Sequence, residues 1–192
     1  MQRLAFATLI AFSLLAAPQA LADNVALTDA QEQEARLDKL FDDLKRERNV
    51  AGAERIANFI REEWTQSGSA TVDLMMQWSA EAMEKERFDV ALDFLDQVTV
   101  LAPEYAEGWN RRATVHYMMG SYSKSMSDIE HVLRLEPRHF GALSGMAAIF
   151  KTYEMQRAAL EAFERVLEVY PMLRSAQEEV AELSEELAGE AI

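Results

Sequence analysis

The sequence predicts an all-α solenoid of repeated helix–turn–helix units, closed by a C-terminal capping helix. Two observations predict it. Pro103, Pro137 and Pro171 recur at a constant interval of 34 residues, a period that marks stacked repeats. Set in register, residues 72–105, 106–139 and 140–173 also agree in side-chain size column by column. The fourth column holds Met75, Trp109 and Leu143, and the eighth holds the small residues Ser79, Ala113 and Ala147. The twentieth holds Ala91, Ser125 and Ala159, followed by Leu95, Ile129 and Phe163 and then by Val98, Val132 and Val166. Small columns let two helices approach, large ones fill the groove between them, and proline ends the second helix.

These columns resemble the tetratricopeptide repeat (TPR), whose pattern is also 34 residues long. The resemblance implies a right-handed superhelix of helix pairs, in which the first helix of each pair lines the concave side.

Ahead of the repeats, residues 1–22 read as a cleaved signal peptide. Arg3 supplies the positive n-region, residues 4–17 are apolar, and Ala20-Leu21-Ala22 forms an A-x-A site before Asp23. Pro18 interrupts the apolar run too early for a membrane span. The chain has no cysteine, so no lipid-accepting thiol follows the site, and disulfides and thiolate metal sites are excluded. Export with cleavage after Ala22 is expected.

The chain carries a formal charge of −14. Loss of Arg3 leaves 18 basic and 33 acidic residues, a charge of −15. Such an acidic balance argues against nucleic acid and anionic lipid as partners. A protein or peptide partner fits better, with no stable membrane insertion once the signal is gone.

Residues 23–71 are expected to form an N-terminal helical pair. A short leader, 23–27, precedes a capping box at Thr28 and Gln31. The first helix, 30–48, places Leu37, Leu40, Phe41 and Leu44 on one face. Asn49 to Gly52 breaks it, and a second helix near 53–66 carries Ile56, Phe59, Ile60 and Trp64. Counting back one period makes residues 38–71 a diverged first repeat, with Ser67-Gly68-Ser69 in place of the proline.

In each full repeat a tight turn falls near the fifteenth residue. Phe88 and Tyr122 open the second helix as aromatic plugs, where the third repeat has Gln156. Residues 174–192 supply the cap. Ala176, Val180, Leu183 and Leu187 repeat at helical spacing, and glutamates cover the other face.

No catalytic, cofactor-binding or metal constellation is present in the sequence, so the chain is read as a non-enzyme. His116, His131 and His139 lack metal-ligand spacing, and His116 stands in a packing column. The resemblance places the concave groove at the second, fifth, ninth, twelfth and thirteenth columns. The partner-binding candidates are therefore Asp73, Met76, Met83, Glu84, Glu107, Asn110, Thr114, Tyr117, Met118, Ser144 and Lys151. Met76, Met83 and Met118 either give an adaptable binding surface or fill gaps between helices. Some TPR domains clamp a carboxylate with lysine and asparagine at set groove columns. Here the fifth column holds Met76 and Asn110 and the ninth Ala80 and Thr114, which argues against binding a free carboxyl terminus. Arg112 stands where the other repeats have Trp78 and Met146. A buried guanidinium there calls for a carboxylate, and Asp128 and Glu130 are the candidates for a structural ion pair.

The stretches AEGWNRRAT and EPRHFGALSG, with the signal peptide and acidic array, resemble small exported TPR proteins of alphaproteobacteria. That resemblance implies a periplasmic location and a protein–protein interaction adaptor supporting cell-envelope integrity. The alternative is a chaperone-like carrier of unfolded envelope proteins or lipidic ligands in an apolar Met/Tyr cradle.

Overall fold

The computed structural model describes residues 19–190, with side-chain surroundings from Gln31 to Gly189. The apolar run and positive n-region expected for export lie outside the described residues. Two compact units divide the chain, residues 1–36 and 37–192. The described residues are all-α: α1 (Gln19–Arg46), α2 (Val50–Trp64), α3 (Ala70–Glu84), α4 (Phe88–Leu101), α5 (Ala106–Met118), α6 (Tyr122–Leu135), α7 (Phe140–Thr152), α8 (Gln156–Val169) and α9 (Arg174–Glu190).

Helix α1 begins earlier than the sequence suggested. Residues 23–27, expected as a leader, are helical, and Thr28 lies inside the helix instead of at its N-cap. Neither Gly nor Pro interrupts residues 19–46, so the helix propagates through the region. Asn49 does end the break: its side chain accepts from the Gly52 amide at 3.0 Å and caps α2.

The three repeats are α3–α4, α5–α6 and α7–α8, and their turns superpose in detail. The fifteenth residue adopts positive φ each time, at Glu86 (55°), Gly120 (70°) and Glu154 (55°). That conformation aims the next amide back along the helix it has left. Arg87, Ser121 and Met155 donate to the carbonyls of Ala82, His116 and Phe150 at 2.8, 2.8 and 2.9 Å, satisfying acceptors the helix end would orphan. The proline-bearing turns repeat as well, with Tyr105, His139 and Leu173 donating to Ala102, Glu136 and Tyr170.

Each repeat hands its apolar surface to the next, α4 meeting α5, α6 meeting α7 and α8 meeting α9. Ala91, Leu95 and Val98 form the first core, and Ala113, Ile129 and Val132 the second. The third includes Leu143, Ala147, Ala159, Phe163 and Val166, and α9 adds Ala176 and Leu183.

The N-terminal pair packs differently from a stacked first repeat. Such a repeat would run α2 alongside α3, which it does not. Phe41 and Leu44 of α1 and Ala53, Ala57, Ile60 and Trp64 of α2 instead share the core of the third repeat, with Phe140 and Tyr170. The Ser67-Gly68-Ser69 linker, with Gly68 at φ 75°, separates the end of α2 from α3. Arg138 extends the same contact. It reaches Asp38 at 2.6 Å, and its guanidinium lies 4.2 Å from the centre of the Phe41 ring.

Candidate functional site

The first helices of the second and third repeats leave a slot between α5 and α7. It has a volume of about 170 Å³ and is lined by Asn110, Thr114, Tyr117, Gly141, Gly145 and Ala148, among others. Five of those six occupy groove columns. Gly141 and Gly145 are four apart on α7, so two missing side chains face the same side. A Cβ on Gly145 would come within 3.3 Å of Ile129 Cδ1. The slot is therefore apolar at depth, with Asn110, Thr114 and Tyr117 supplying polar groups.

At the N-terminal ends of α5 and α7, a second cavity contains Glu107, Asn110 and Gly141 together with Arg61, Trp64 and His139. Here α2 and the repeats build one site. His139 is buried and caps α7, its Nδ1 accepting from the Ala142 amide at 3.1 Å. Its Nε2 points to Glu107 Oε2 at 3.4 Å, longer than a full hydrogen bond. The Trp64 indole stacks on this imidazole at 4.0 Å and 7°, beside Phe140 at 5.0 Å. Asn110 and Arg111 donate to Glu107 at 2.9 and 3.2 Å. Burial would raise the Glu107 carboxyl, but the His139 imidazole, Arg111 guanidinium and Asn110 amide hold it below its usual range.

The remaining groove candidates separate into open and engaged groups. Met76 is buried at 5% exposure in the first repeat's core, and Met83 is half-buried against the same core. Of the two readings of these methionines, gap filling holds for Met76 and Met83, and of the three only Met118 is exposed. Helix α3 turns Met76 inward because it lies four residues after buried Val72, on the same face. Asp73 accepts from the Ser67 hydroxyl and amide in the α2–α3 linker. Lys151 is paired with Glu179 of α9, and Ser144 donates to the Phe140 carbonyl. Thr114 and Glu84 are exposed. Tyr117 packs against Tyr122 with ring centres 5.4 Å apart.

Arg112 makes a two-pronged contact with Asp128, Nε to Oδ2 at 2.8 Å and Nη2 to Oδ1 at 2.7 Å. Its third nitrogen reaches back to α4, meeting Asp96 at 2.9 Å and Thr99 at 3.0 Å. The guanidinium also lies 4.7 Å from the Trp109 ring centre. Asp128 raises the Arg112 pKa further above its ordinary value. Glu130 faces solvent and takes no part. The network is therefore structural and joins the first two repeats. Sequence reasoning missed its Asp96 and Thr99 members, and it missed Trp64, Arg111 and His139 in the other cavity. For His139 a signal existed: it directly precedes a helix, where a side-chain acceptor caps the first turn.

No group of three His, Asp or Glu side chains able to hold a metal occurs among the described residues. No helix among them is long and apolar enough to cross a membrane.

No protein-family model matches the chain. A TPR repeat-containing protein of Rhizobium etli is 59% identical over 154 residues, which cover 80% of this chain and 76% of that protein. Small glutamine-rich tetratricopeptide repeat-containing protein 2 of Saccharomyces cerevisiae is 24% identical over 117 residues, 61% of this chain but 34% of the yeast protein. Among solved structures, the first TPR of Spaghetti (RPAP3), bound to an HSP90 peptide, matches with a TM-score of 0.59 at 21% identity. That match covers 62% of this chain and 95% of the other. MamA matches with a TM-score of 0.57 at 15% identity, covering 72% and 79%. At such identities these structures speak for the fold alone.

Proposed function

This chain belongs to the tetratricopeptide-repeat family, and from that premise we propose that it is a periplasmic adaptor. It holds a peptide segment of another envelope protein in its concave groove and so supports cell-envelope integrity. The slot between α5 and α7 carries the reading. It is built from the columns a TPR groove uses, and its volume of about 170 Å³ is similar to that of a cavity that admits a benzene ring, about 150 Å³. One aliphatic or aromatic side chain of a bound segment fills it, while Asn110 and Thr114 meet the segment's backbone.

Export rests on residues 1–22, and the envelope role rests on the resemblance to small exported TPR proteins. The carrier alternative draws on an apolar Met/Tyr cradle, and it is weakened because Met76 and Met83 pack inward. Binding, with no catalysis, fits the site. His116 and His139 are buried, His139 as a helix cap, and the Glu107 carboxylate is committed to its neighbours.

A photoreactive amino acid at Thr114, crosslinked in intact cells, tests the proposal together with fractionation. The expected result is one stoichiometric partner, recovered with the chain from the periplasmic fraction. A broad ladder of unfolded clients would support the carrier instead, and retention in the cytoplasm would overturn the location.

A further inference from the structure

The third, seventh and twenty-third columns are the surface each repeat turns toward the one before it. In the second repeat these are Gly108, Arg112 and Asp128. A Cβ on Gly108 would lie 2.7 Å from Val98 of α4, and Arg112 bonds Asp96 and Thr99 of the same helix. In the third repeat they are Ala142, Met146 and Ala162. Ala142 is 1% exposed, in a core with Ile129 and Val132 of α6.

In the first repeat the same columns hold Leu74, Trp78 and Phe94. Leu74 is 43% and Trp78 42% exposed, and the Trp78 and Phe94 rings lie 5.4 Å apart. Leu101, two turns beyond Phe94 on α4, is 58% exposed. The sequence register would set α2 over this face, but α2 packs against Phe140 instead. The surface that the fold covers in the second and third repeats is thus left open in the first, where it is apolar.

We infer that a second copy of this chain covers it, in a two-fold homodimer formed through the α3–α4 face that carries Leu74, Trp78, Phe94 and Leu101. Charge favours that occupant at that place. A chain of formal charge −14 repels its own copies over most of its surface. Beside Trp78 and Phe94, however, the cleft holds Lys85 and Arg87 against one acid, Glu81. The patch bears both signs, as a self-complementary contact requires.

Head-to-tail stacking is the competing arrangement, and chemistry disfavours it. The other end of the array, α9, exposes Glu178, Glu182, Glu185 and Glu186. Burying those carboxylates on Trp78 and Phe94 would cost their hydration without supplying enough partners. A two-fold contact sets apolar surface on apolar surface and closes on itself.

Sedimentation velocity of the purified chain over a concentration series tests the inference. A reversible dimer is expected, with Trp78→Glu or Leu74→Glu weakening it by about 10- to 100-fold. The helical content should be unchanged. Leu74 is the control should Trp78→Glu fail to fold. Because the chain has no cysteine, Gln77→Cys supplies a single site for a spin label, and a two-fold dimer gives one short inter-label distance. A chain that stays monomeric at about 1 mM overturns the inference, as does a dimer indifferent to both substitutions. Capture of a different protein on this face by an otherwise monomeric chain also overturns it.

Discussion

Trp64 and His139, from opposite halves of the chain, stack face to face with ring centres 4.0 Å apart. Both are buried. The imidazole also caps α7 and points to the Glu107 carboxylate, so one contact ties the N-terminal pair to two helices lining the groove.

Trp64→Ala should destabilise the fold by about 3–5 kcal/mol, the usual cost of emptying a buried aromatic site. His139→Asn separates the two roles of the histidine, because asparagine can cap α7 but cannot stack well on indole. It should cost less than His139→Ala, which loses both. Urea unfolding of the three variants measures the order, and equal losses for His139→Asn and His139→Ala would refute the capping role.

Arg112→Ala should cost about 3–5 kcal/mol, since it strands the buried Asp128, whereas Asp128→Ala should cost less, because Asp96 and Thr99 still hold the guanidinium. The double variant should cost less than their sum. Glu130→Ala should stay within about 0.5 kcal/mol of the parent. A double-mutant cycle reads the coupling directly, and additive losses for Arg112 and Asp128 would sink the pair.

Glu86 and Glu154 hold a left-handed conformation at 55° that glycine adopts freely. Glu86→Gly and Glu154→Gly should each stabilise the protein by up to about 1 kcal/mol, the left-handed penalty partly offset by glycine's greater chain entropy. Gly120→Ala should act in the opposite direction. Denaturation midpoints for the set decide the matter, and destabilisation by both Glu→Gly changes would count against it.

Acid should weaken the fold in two stages. Burial lowers the His116 pKa below its ordinary 6.5, so the unfolded chain binds that proton more readily. Its contribution is present above pH 6.5 and is lost as pH falls toward the folded value. The Glu107 pKa is likewise below its ordinary 4.5, and its contribution is lost in turn at lower pH. Melting temperature against pH should fall through both regions, and His116→Gln should flatten the upper one alone. An unchanged upper slope in that variant would remove His116 from the account.

Deleting residues 174–192 should destabilise the whole array, because α9 buries Ala176 and Leu183 and packs Val180 on the third repeat. A few buried aliphatic side chains contribute about 5 kcal/mol, comparable with a domain's total stability. Unaltered melting of the truncated chain would contradict the capping role.

The array itself was legible in the sequence. A 34-residue period in proline and in small and large columns is a local pattern, repeated until chance is an inadequate explanation, and turn placement follows from it. The Arg112 anomaly was legible too, because a guanidinium in a packing column must find an anion. Helical phase then selects Asp128, which shares its face with the packing columns, over Glu130, which turns to water.

What only the tertiary structure decided is where nonlocal surfaces go. Periodicity marks Trp64, Ile60 and Phe41 as one apolar face, yet any apolar face of suitable shape can receive it. The column register pointed to α3, whereas the folded chain gives that face Phe140, His139 and Tyr170. Met76 went inward for the same kind of reason, since a groove column says which side of a helix a residue occupies but not how deeply its neighbours enclose it. The hydrophobic effect rewards area removed from water without specifying the partner that removes it. Shape, stacking geometry and the charges on Glu107, Arg138 and Asp38 complete the choice, and these meet only once the chain has folded.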